Sequence, residues 1–263
     1  MPSFWENLRF AGESGSVRYD EDLHGQEGGD MVCYVSHPLP SAGTTFPAVI
    51  VVQEAFGVTR HIEKVCDRFA EAGYVAVAPA LFWREHPNPK LGYGDEDVAR
   101  RNQYMGALRD DQLVEDINEV IKWTQSDQFR RTNNQKIGIV GYCVGGRITY
   151  LAATSCPGLS AASVYYPGRT LLPFGEGPAP IDLTSQIKVP VLGSFGDQDA
   201  NPSPDDVNTI EAKLKEAGVT YDFKMYAGAG HGFNCDERDS YHEASANDAL
   251  SRTLAWFDKY LKN

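Results

Sequence analysis

The stretch that most constrains this chain runs from residue 136 to residue 147 and reads Lys-Ile-Gly-Ile-Val-Gly-Tyr-Cys-Val-Gly-Gly-Arg. Its apolar first half predicts a short β-strand, and the apolar spacing after it predicts a helix. Between them lies a Gly-x-Cys-x-Gly turn centred on Cys143, which is the arrangement of a nucleophile elbow. Free N–H groups at the start of the helix would favour negative charge on the Cys143 side chain. The competing interpretation is a buried structural thiol in a glycine-rich turn.

Polar side chains follow three other predicted strands. Glu54 comes directly after a nearly continuous apolar run, which is typical of a strand buried on both faces. Asp197 and Asp199 follow a later strand, and His231 lies between two glycines after the last one. Glu54 taken alone could be a solvated loop carboxylate, and a lone histidine in a loop is usually incidental. Their functional interpretation depends on their occurring together with Cys143.

With these segments the chain resembles the dienelactone hydrolases of the α/β-hydrolase superfamily. The resemblance rests on Gly-Tyr-Cys-Val-Gly-Gly, Gln-Glu-Ala-Phe-Gly, Gly-Asp-Gln-Asp and Ala-Gly-His-Gly-Phe, and it runs from about residue 45 to the C-terminus. Nucleophile, acid and histidine follow one another in the order found in α/β-hydrolases. The resemblance implies an α/β-hydrolase fold, with a single, mostly parallel, twisted sheet and helices on both faces.

The resemblance also implies roles for individual residues. Cys143 is expected to be the nucleophile and His231 the base, with Asp199 as the acid that orients it. Asp197 competes for the acid position, although a role in shaping the turn suits it better. Glu54 is expected to pair with the resting cysteine and to accept its proton when substrate arrives. Whether that proton passes to Glu54 or to His231 stays open.

Two further pairs complete the predicted site. In this fold the loop after the early strand supplies half of the oxyanion hole, so we expect the N–H groups of Ala55 and Val144 to bind the oxyanion. Arg100 and Tyr104 are spaced i,i+4 on a predicted helix and resemble the Arg-x-x-x-Tyr pair with which the family contacts its substrate's carboxylate. Arg101 is the alternative to Arg100, and a solvated Arg beside a half-buried Tyr is the alternative to both.

One position departs from the family pattern. Members that use cysteine carry a second substrate-binding arginine soon after the catalytic histidine, where this chain has Cys235, four residues after His231. Arg238 is close by in sequence but out of register. The departure weakens the inference that dienelactone itself is the substrate.

For domain organisation we expect an N-terminal arm over residues 1–30 and a single α/β domain over residues 31–263. The arm is polar and rich in glycine, with Trp5, Leu8 and Phe10 as the residues that could anchor it. The other predicted strands are 31–37, 46–53, 74–78, 160–166, 189–195 and 221–226. The other predicted helices are 59–72, 95–109, 110–125, 204–217 and 240–262, and residues 167–188 are predicted to form a long loop.

Charge and cysteine content limit the possible partners and compartment. The net charge is −12 and no run of Lys or Arg occurs, so we expect no nucleic acid or membrane partner. The cysteines are scattered and show no spacing typical of a zinc site: Cys33, Cys66, Cys143, Cys156 and Cys235. No apolar segment near the N-terminus resembles a signal peptide. We therefore expect a soluble, cytoplasmic protein with reduced thiols.

The sequence thus favours a cysteine hydrolase of small-molecule esters or lactones that works through a thioester. The closest specific activity is that of a carboxymethylenebutenolidase, and neither a cofactor nor a metal is expected. A broader carboxylesterase acting on other carboxylated or aromatic esters is the first alternative. The second is a ligand-binding or redox protein that keeps the fold and its reactive Cys143 without turnover.

Overall fold

The computed structural model describes residues 1–8, 31–39, 44–126 and 132–263. These residues form one eight-stranded sheet and six α-helices. The strands are β1 (Ser3–Leu8), β2 (Met31–Ser36), β3 (Phe46–Val52), β4 (Val75–Pro79), β5 (Thr132–Tyr142), β6 (Leu159–Tyr165), β7 (Val191–Gly196) and β8 (Tyr221–Tyr226). The helices are α1 (Arg60–Glu71), α2 (Val98–Ala107), α3 (Asp110–Thr124), α4 (Val144–Ser155), α5 (Pro204–Glu216) and α6 (Glu243–Leu261).

The sheet is mostly parallel, as predicted. Its strand order is β1-β2-β4-β3-β5-β6-β7-β8, and only the pairs that include β2 are antiparallel. Strand β3 leads through α1 to β4 on one side, whereas β5 leads through α4 to β6 on the other. The chain therefore reverses its direction of winding between β3 and β5, and ligands of open α/β sheets bind in the crevice at such a point.

The core consists of two layers, one on each face of the sheet. Alternate residues of β3 point to opposite faces, so Ala48 and Ile50 contribute to one layer and Val49 and Val51 to the other. Helices α1 and α6 pack on the second face, while α3, α4 and α5 pack on the first. This double cover explains why the sequence of β3 is apolar throughout rather than alternating.

The N-terminal residues form a strand that the sequence analysis does not predict. Residues 3–8 pair with β2 in antiparallel register, from Ser3 opposite Ser36 to Leu8 opposite Met31. The strand lies at the edge of the sheet and most of it is not fully buried, so its sequence lacks a continuous apolar run. Phe10 and the rest of the expected arm to residue 30 lie outside the described residues, and the division into arm and domain stays a prediction.

Two helical predictions need correction in detail. The helix expected over 95–109 begins with a 3₁₀ turn at Asp95–Asp97, and α2 ends at Ala107. The long loop expected over 167–188 contains a second 3₁₀ segment, Pro180–Gln186. Proline is compatible with the first position of a helix, although in a sequence it usually indicates a loop or the end of a helix. Within the part of the chain described here, no helix combines the length and the apolar character needed to cross a membrane.

Candidate active site

Cys143 lies at the turn between β5 and α4, with backbone angles φ 58° and ψ −123°. Such a conformation is strained for any residue other than glycine and persists only where the surroundings fix it. The Cys143 N–H donates to the carbonyl of Tyr165 at 3.1 Å, and the Cys143 carbonyl accepts from the N–H groups of Gly146 and Arg147. These bonds hold the elbow from both sides and leave the side chain partly exposed.

The glycines of the elbow allow it to pack directly against its neighbours. A β-carbon at Gly141 would overlap the backbone of Gly145. A β-carbon at Gly145 would overlap the carbonyl oxygens of Val52 and Gln53 at the end of β3. Only glycine fits at these positions, and the close approach brings the segment that follows β3 next to the elbow.

His231 contacts Asp199, as the sequence predicts for a histidine and its orienting acid. The Nδ1 atom of His231 lies 2.9 Å from Oδ2 of Asp199, which is 5% exposed. The other carboxylate oxygen accepts from the N–H of Asn201 at 2.8 Å, so the orientation of the acid is fixed. Asp197 instead accepts from the N–H of Gly228 at 2.8 Å and shapes the turn.

The same imidazole also contacts Cys143. Burial lowers the pKa of His231, but the charge of the Cys143 sulfur and the hydrogen bonds with Asp199 and Cys143 raise it, to about 10. The positive form of His231 is therefore favoured at neutral pH for as long as the sulfur carries its charge. The arrangement can hold a thiolate–imidazolium pair.

Tyr166 supports the histidine from the side, a role that the sequence does not predict. Its ring lies 5.2 Å from the ring of His231 in an edge-to-face arrangement and 5.1 Å from that of Phe233. Its backbone adopts φ 36°, in the left-handed region. A strained aromatic residue at the end of β6 therefore fixes the position of His231, and no local sequence pattern marks it.

The two expected oxyanion donors lie on neighbouring segments. Val144 is the first residue of α4, so its N–H has no acceptor within the helix. Ala55 follows Glu54 just beyond β3, and the contact of Gly145 with Val52 and Gln53 joins the two segments. Both residues are buried.

Glu54 is fully buried, and in this structure Cys143 is not its partner. Among the described residues, no group donates a hydrogen bond to either carboxylate oxygen. A positively charged residue approaches it: Nη1 of Arg238 lies 3.8 Å from Oε1 of Glu54. The hydrogen bond between Glu54 and the resting cysteine, which the resemblance implies, is therefore not formed in this structure.

The guanidinium of Arg238 lies beside the site, although Arg238 does not occupy the sequence position of the family's second arginine. It lies 5.6 Å from the ring centre of Phe56 and 5.7 Å from that of Tyr93, and its side chain is 23% exposed. The loop after His231 folds back through successive turns, which a count of residues from the histidine does not reveal. An arginine is therefore present next to Glu54.

Arg100 and Tyr104 occupy different environments. The Arg100 side chain is 63% exposed and faces Asp97 at 3.8 Å, whereas Tyr104 is buried and its ring packs 5.5 Å from that of Phe82. The guanidinium of Arg101 lies 5.7 Å from the ring of Phe56, which Arg238 also approaches. Of the two alternatives, Arg101 is the one that the structure brings to the segment after β3.

Comparison with known proteins places this geometry in a family. The profile of the dienelactone hydrolase family matches residues 33–261. The chain belongs to the dienelactone hydrolase family. The "Putative carboxymethylenebutenolidase" of Salmonella typhimurium is 37% identical over 238 residues, which cover 89% of this chain and 84% of that protein. The protein of the same name from Escherichia coli K12 is 36% identical over 236 residues, with the same coverage.

A solved structure agrees with the family assignment. The "Putative Dienelactone Hydrolase" from Klebsiella pneumoniae superposes with a TM-score of 0.80, at 33% identity, and the match covers 98% of both chains. The predicted α/β-hydrolase fold and the resemblance to dienelactone hydrolases are confirmed. The prediction of a carboxylic ester hydrolase is confirmed at the level of the family, whose members act on ester or lactone bonds.

Proposed function

We propose that this dienelactone hydrolase family member cleaves small-molecule esters or lactones with Cys143 as its nucleophile. His231 is the base and Asp199 the acid that orients it. The observation that carries the proposal is that one imidazole contacts both Asp199, at 2.9 Å, and Cys143 at the strained elbow. A thiolate beside an imidazolium attacks activated carbonyls readily and leaves readily from a thioester.

In the first step the sulfur of Cys143 attacks the carbonyl carbon, and the electron pair of the C=O bond moves to the oxygen. The N–H groups of Ala55 and Val144 stabilise that oxyanion. When the intermediate collapses, the C–O bond of the leaving group breaks and the leaving oxygen takes the proton of His231. The product is a thioester on Cys143 and an alcohol or enol, which for a lactone stays attached to the acyl group.

The second step uses the same histidine as a base. Acylation removes the charge of the sulfur, which is the strongest of the influences that raise the pKa of His231, while burial continues to lower it. Neutral imidazole is then favoured and can take a proton from water as the water attacks the thioester. Asp199 holds the ring and stabilises the cation that forms. Collapse returns the thiolate–imidazolium pair.

The proposed substrate carries a carboxylate near the scissile bond. Arg238 is partly exposed beside Glu54, and Arg101 lies over the neighbouring Phe56, so two guanidinium groups border the same segment. Planar donor forks of this kind bind carboxylates strongly. Glu54 stays the alternative to His231 as the group that first takes the Cys143 proton. Arg100 and Tyr104 remain the alternative contact.

Steady-state turnover of p-nitrophenyl acetate and of cis- and trans-dienelactone tests the proposal. Hydrolysis that is lost in both Cys143→Ala and His231→Ala is the expected result, and the preferred substrate distinguishes a lactonase from a broader carboxylesterase. One stoichiometric adduct without turnover on any of these compounds would instead favour a binding or redox protein.

A cytoplasmic location stays a prediction, with which the absence of disulfides among the five cysteines agrees.

A further inference from the structure

Three side chains with metal-binding atoms gather behind the elbow. They are Glu54 at the end of β3, His61 in α1 and Cys235 in the loop after His231. A carboxylate oxygen, an imidazole nitrogen and the sulfur all lie within 4.8 Å of one another, and all three residues are buried. Since each comes from a different element, no spacing in the sequence could reveal the cluster.

Three polar atoms of these side chains lack hydrogen-bond partners. Both oxygens of Glu54 and the Nε2 atom of His61 are buried, and no group among the described residues forms a hydrogen bond with them. Arg238 approaches Glu54 only to 3.8 Å, beyond hydrogen-bonding distance. Buried carboxylates and imidazoles without partners are rare in folded proteins, because losing water without a replacement is costly.

The surroundings of His61 and Cys235 orient their free atoms. The Nδ1 atom of His61 lies 3.4 Å from Oδ1 of Asp236, which places the proton of the neutral ring on Nδ1 and the lone pair on Nε2. A carboxylate behind the distal nitrogen is the usual support of a metal-binding histidine. The thiol of Cys235 donates to the oxygen of Tyr93 at 3.3 Å.

We propose that Glu54, His61 and Cys235 form a binding site for Zn²⁺ or a cation of similar chemistry. Thiolate, imidazole and carboxylate are the ligands that zinc prefers, whereas magnesium and calcium require oxygen ligands. Bond lengths of about 2.0–2.3 Å in a tetrahedral site separate the ligand atoms by roughly 3.3–3.7 Å. Three atoms within 4.8 Å of one another reach such a geometry with small side-chain movements.

Binding would release one proton from the site and would occupy Glu54. Cys235 coordinates as a thiolate and its proton passes to solvent. Glu54 becomes a metal ligand, and the cation lies close to the positive charge of Arg238, which it repels. If the proposed function holds, a bound cation removes Glu54 from proton transfer and disturbs Arg238, so it inhibits hydrolysis.

Cobalt binding to Cys143→Ala tests the site without relying on activity. This variant removes the competing thiol beside His231, and a thiolate bound to Co²⁺ gives an intense charge-transfer absorption band. We expect one Co²⁺ per chain, with that band, displaced by one equivalent of Zn²⁺. The band is lost when Cys235→Ser is added and kept when Cys156→Ser is added, since Cys156 is another buried thiol, which donates to the carbonyl of Val114.

Three further variants in the Cys143→Ala background separate ligation from a general loss of folding. His61→Gln removes a ligand and abolishes the band, while Asp236→Asn weakens binding by about 10- to 100-fold. Arg238→Gln removes a repelling charge and tightens binding by about threefold or more. Circular dichroism checks that each variant is folded. Binding of no Co²⁺, a band that survives Cys235→Ser, or weaker binding in Arg238→Gln would overturn the proposal.

Discussion

His231 and Asp199 are joined by a 2.9 Å contact between Nδ1 and Oδ2, and the carboxylate is held in place by the N–H of Asn201. The two residues come from loops that follow different strands, β8 and β7, which are neighbours in the sheet. The contact leaves the other side of the imidazole free to face Cys143. The pair thus links the acid loop to the elbow, and several measurable consequences depend on it.

Replacing the acid tests the pair directly. In Asp199→Asn the amide no longer favours the required tautomer and charge of His231, so we expect kcat to fall by about two to four orders of magnitude. Asp197→Asn is the matched control, because the Asp197 carboxylate accepts from Gln198 and from the N–H of Gly228 rather than from His231, and kcat of this variant should change less than about tenfold. Equal effects of the two substitutions would contradict the assignment.

The pH dependence of His231 reports the charge beside it. NMR of the imidazole protons should give a pKa near 10 in the wild type and a clearly lower value in Cys143→Ala, because the variant lacks the sulfur charge while burial remains. At pH 8 the ring is then an imidazolium in the wild type and less protonated in the variant. A pKa that is the same in both proteins would exclude the proposed ion pair.

The raised pKa of His231 also makes the stability of the protein depend on pH. The pKa of His231 in the folded state lies above its usual value of about 6.5. Its stabilising contribution is therefore complete below about pH 6.5 and is lost as the pH rises through about 10. Unfolding by urea should accordingly show that the stability difference between the wild type and His231→Gln decreases from pH 6 to pH 10.

Arg238 should determine how much a carboxylate on the substrate strengthens binding. We expect Arg238→Gln to raise KM for carboxylated esters or lactones by about 10- to 100-fold, the loss typical of a hydrogen-bonded charged group, and to leave neutral p-nitrophenyl acetate nearly unaffected. Arg101→Gln should act in the same direction, and the exposed Arg100→Gln should do little. If only Arg100→Gln raises KM, the carboxylate binds on the outer face of α2.

A buried ion pair should dominate the stability of the region around the elbow. Arg147 donates two hydrogen bonds to Asp110, at 2.6 and 2.9 Å, and its guanidinium lies 3.7 Å from the ring centre of Phe174. Arg147→Met would leave the buried Asp110 without its counterion, so we expect a loss of about 3–5 kcal/mol in the free energy of unfolding. Lys213→Met, which breaks an exposed pair, should cost no more than about 0.5 kcal/mol in the same urea titration.

The central strands and the elbow could be predicted because their signals are local. The apolar run of β3 and the strand-turn-helix sequence around Cys143 depend on neighbours in the chain, and both elements are present in the structure. Strand β1 gave no such signal, since an edge strand is only partly buried and carries polar residues such as Glu6 and Asn7. Pairing with β2, rather than its own pattern, determines its conformation.

The contacts around Glu54 could not be predicted for a different reason. Arg238, His61 and Cys235 meet this carboxylate only because a helix and a turn-rich loop fold towards the end of β3. The register count from His231 placed Arg238 out of position, whereas the turns of the loop carry it back to the site. Tertiary packing, which no spacing rule describes, therefore determines this part of the site.

Trapping the acyl group tests the central claim most directly. Wild-type protein mixed with p-nitrophenyl acetate and quenched in acid during turnover should carry the mass of one acetyl group, located on the peptide that contains Cys143 and released by neutral hydroxylamine. Cys143→Ala should show neither adduct nor turnover, while Cys156→Ser should show both. Turnover at the wild-type rate in Cys143→Ala, or an acetyl group on another residue as the labile intermediate, would contradict a cysteine nucleophile.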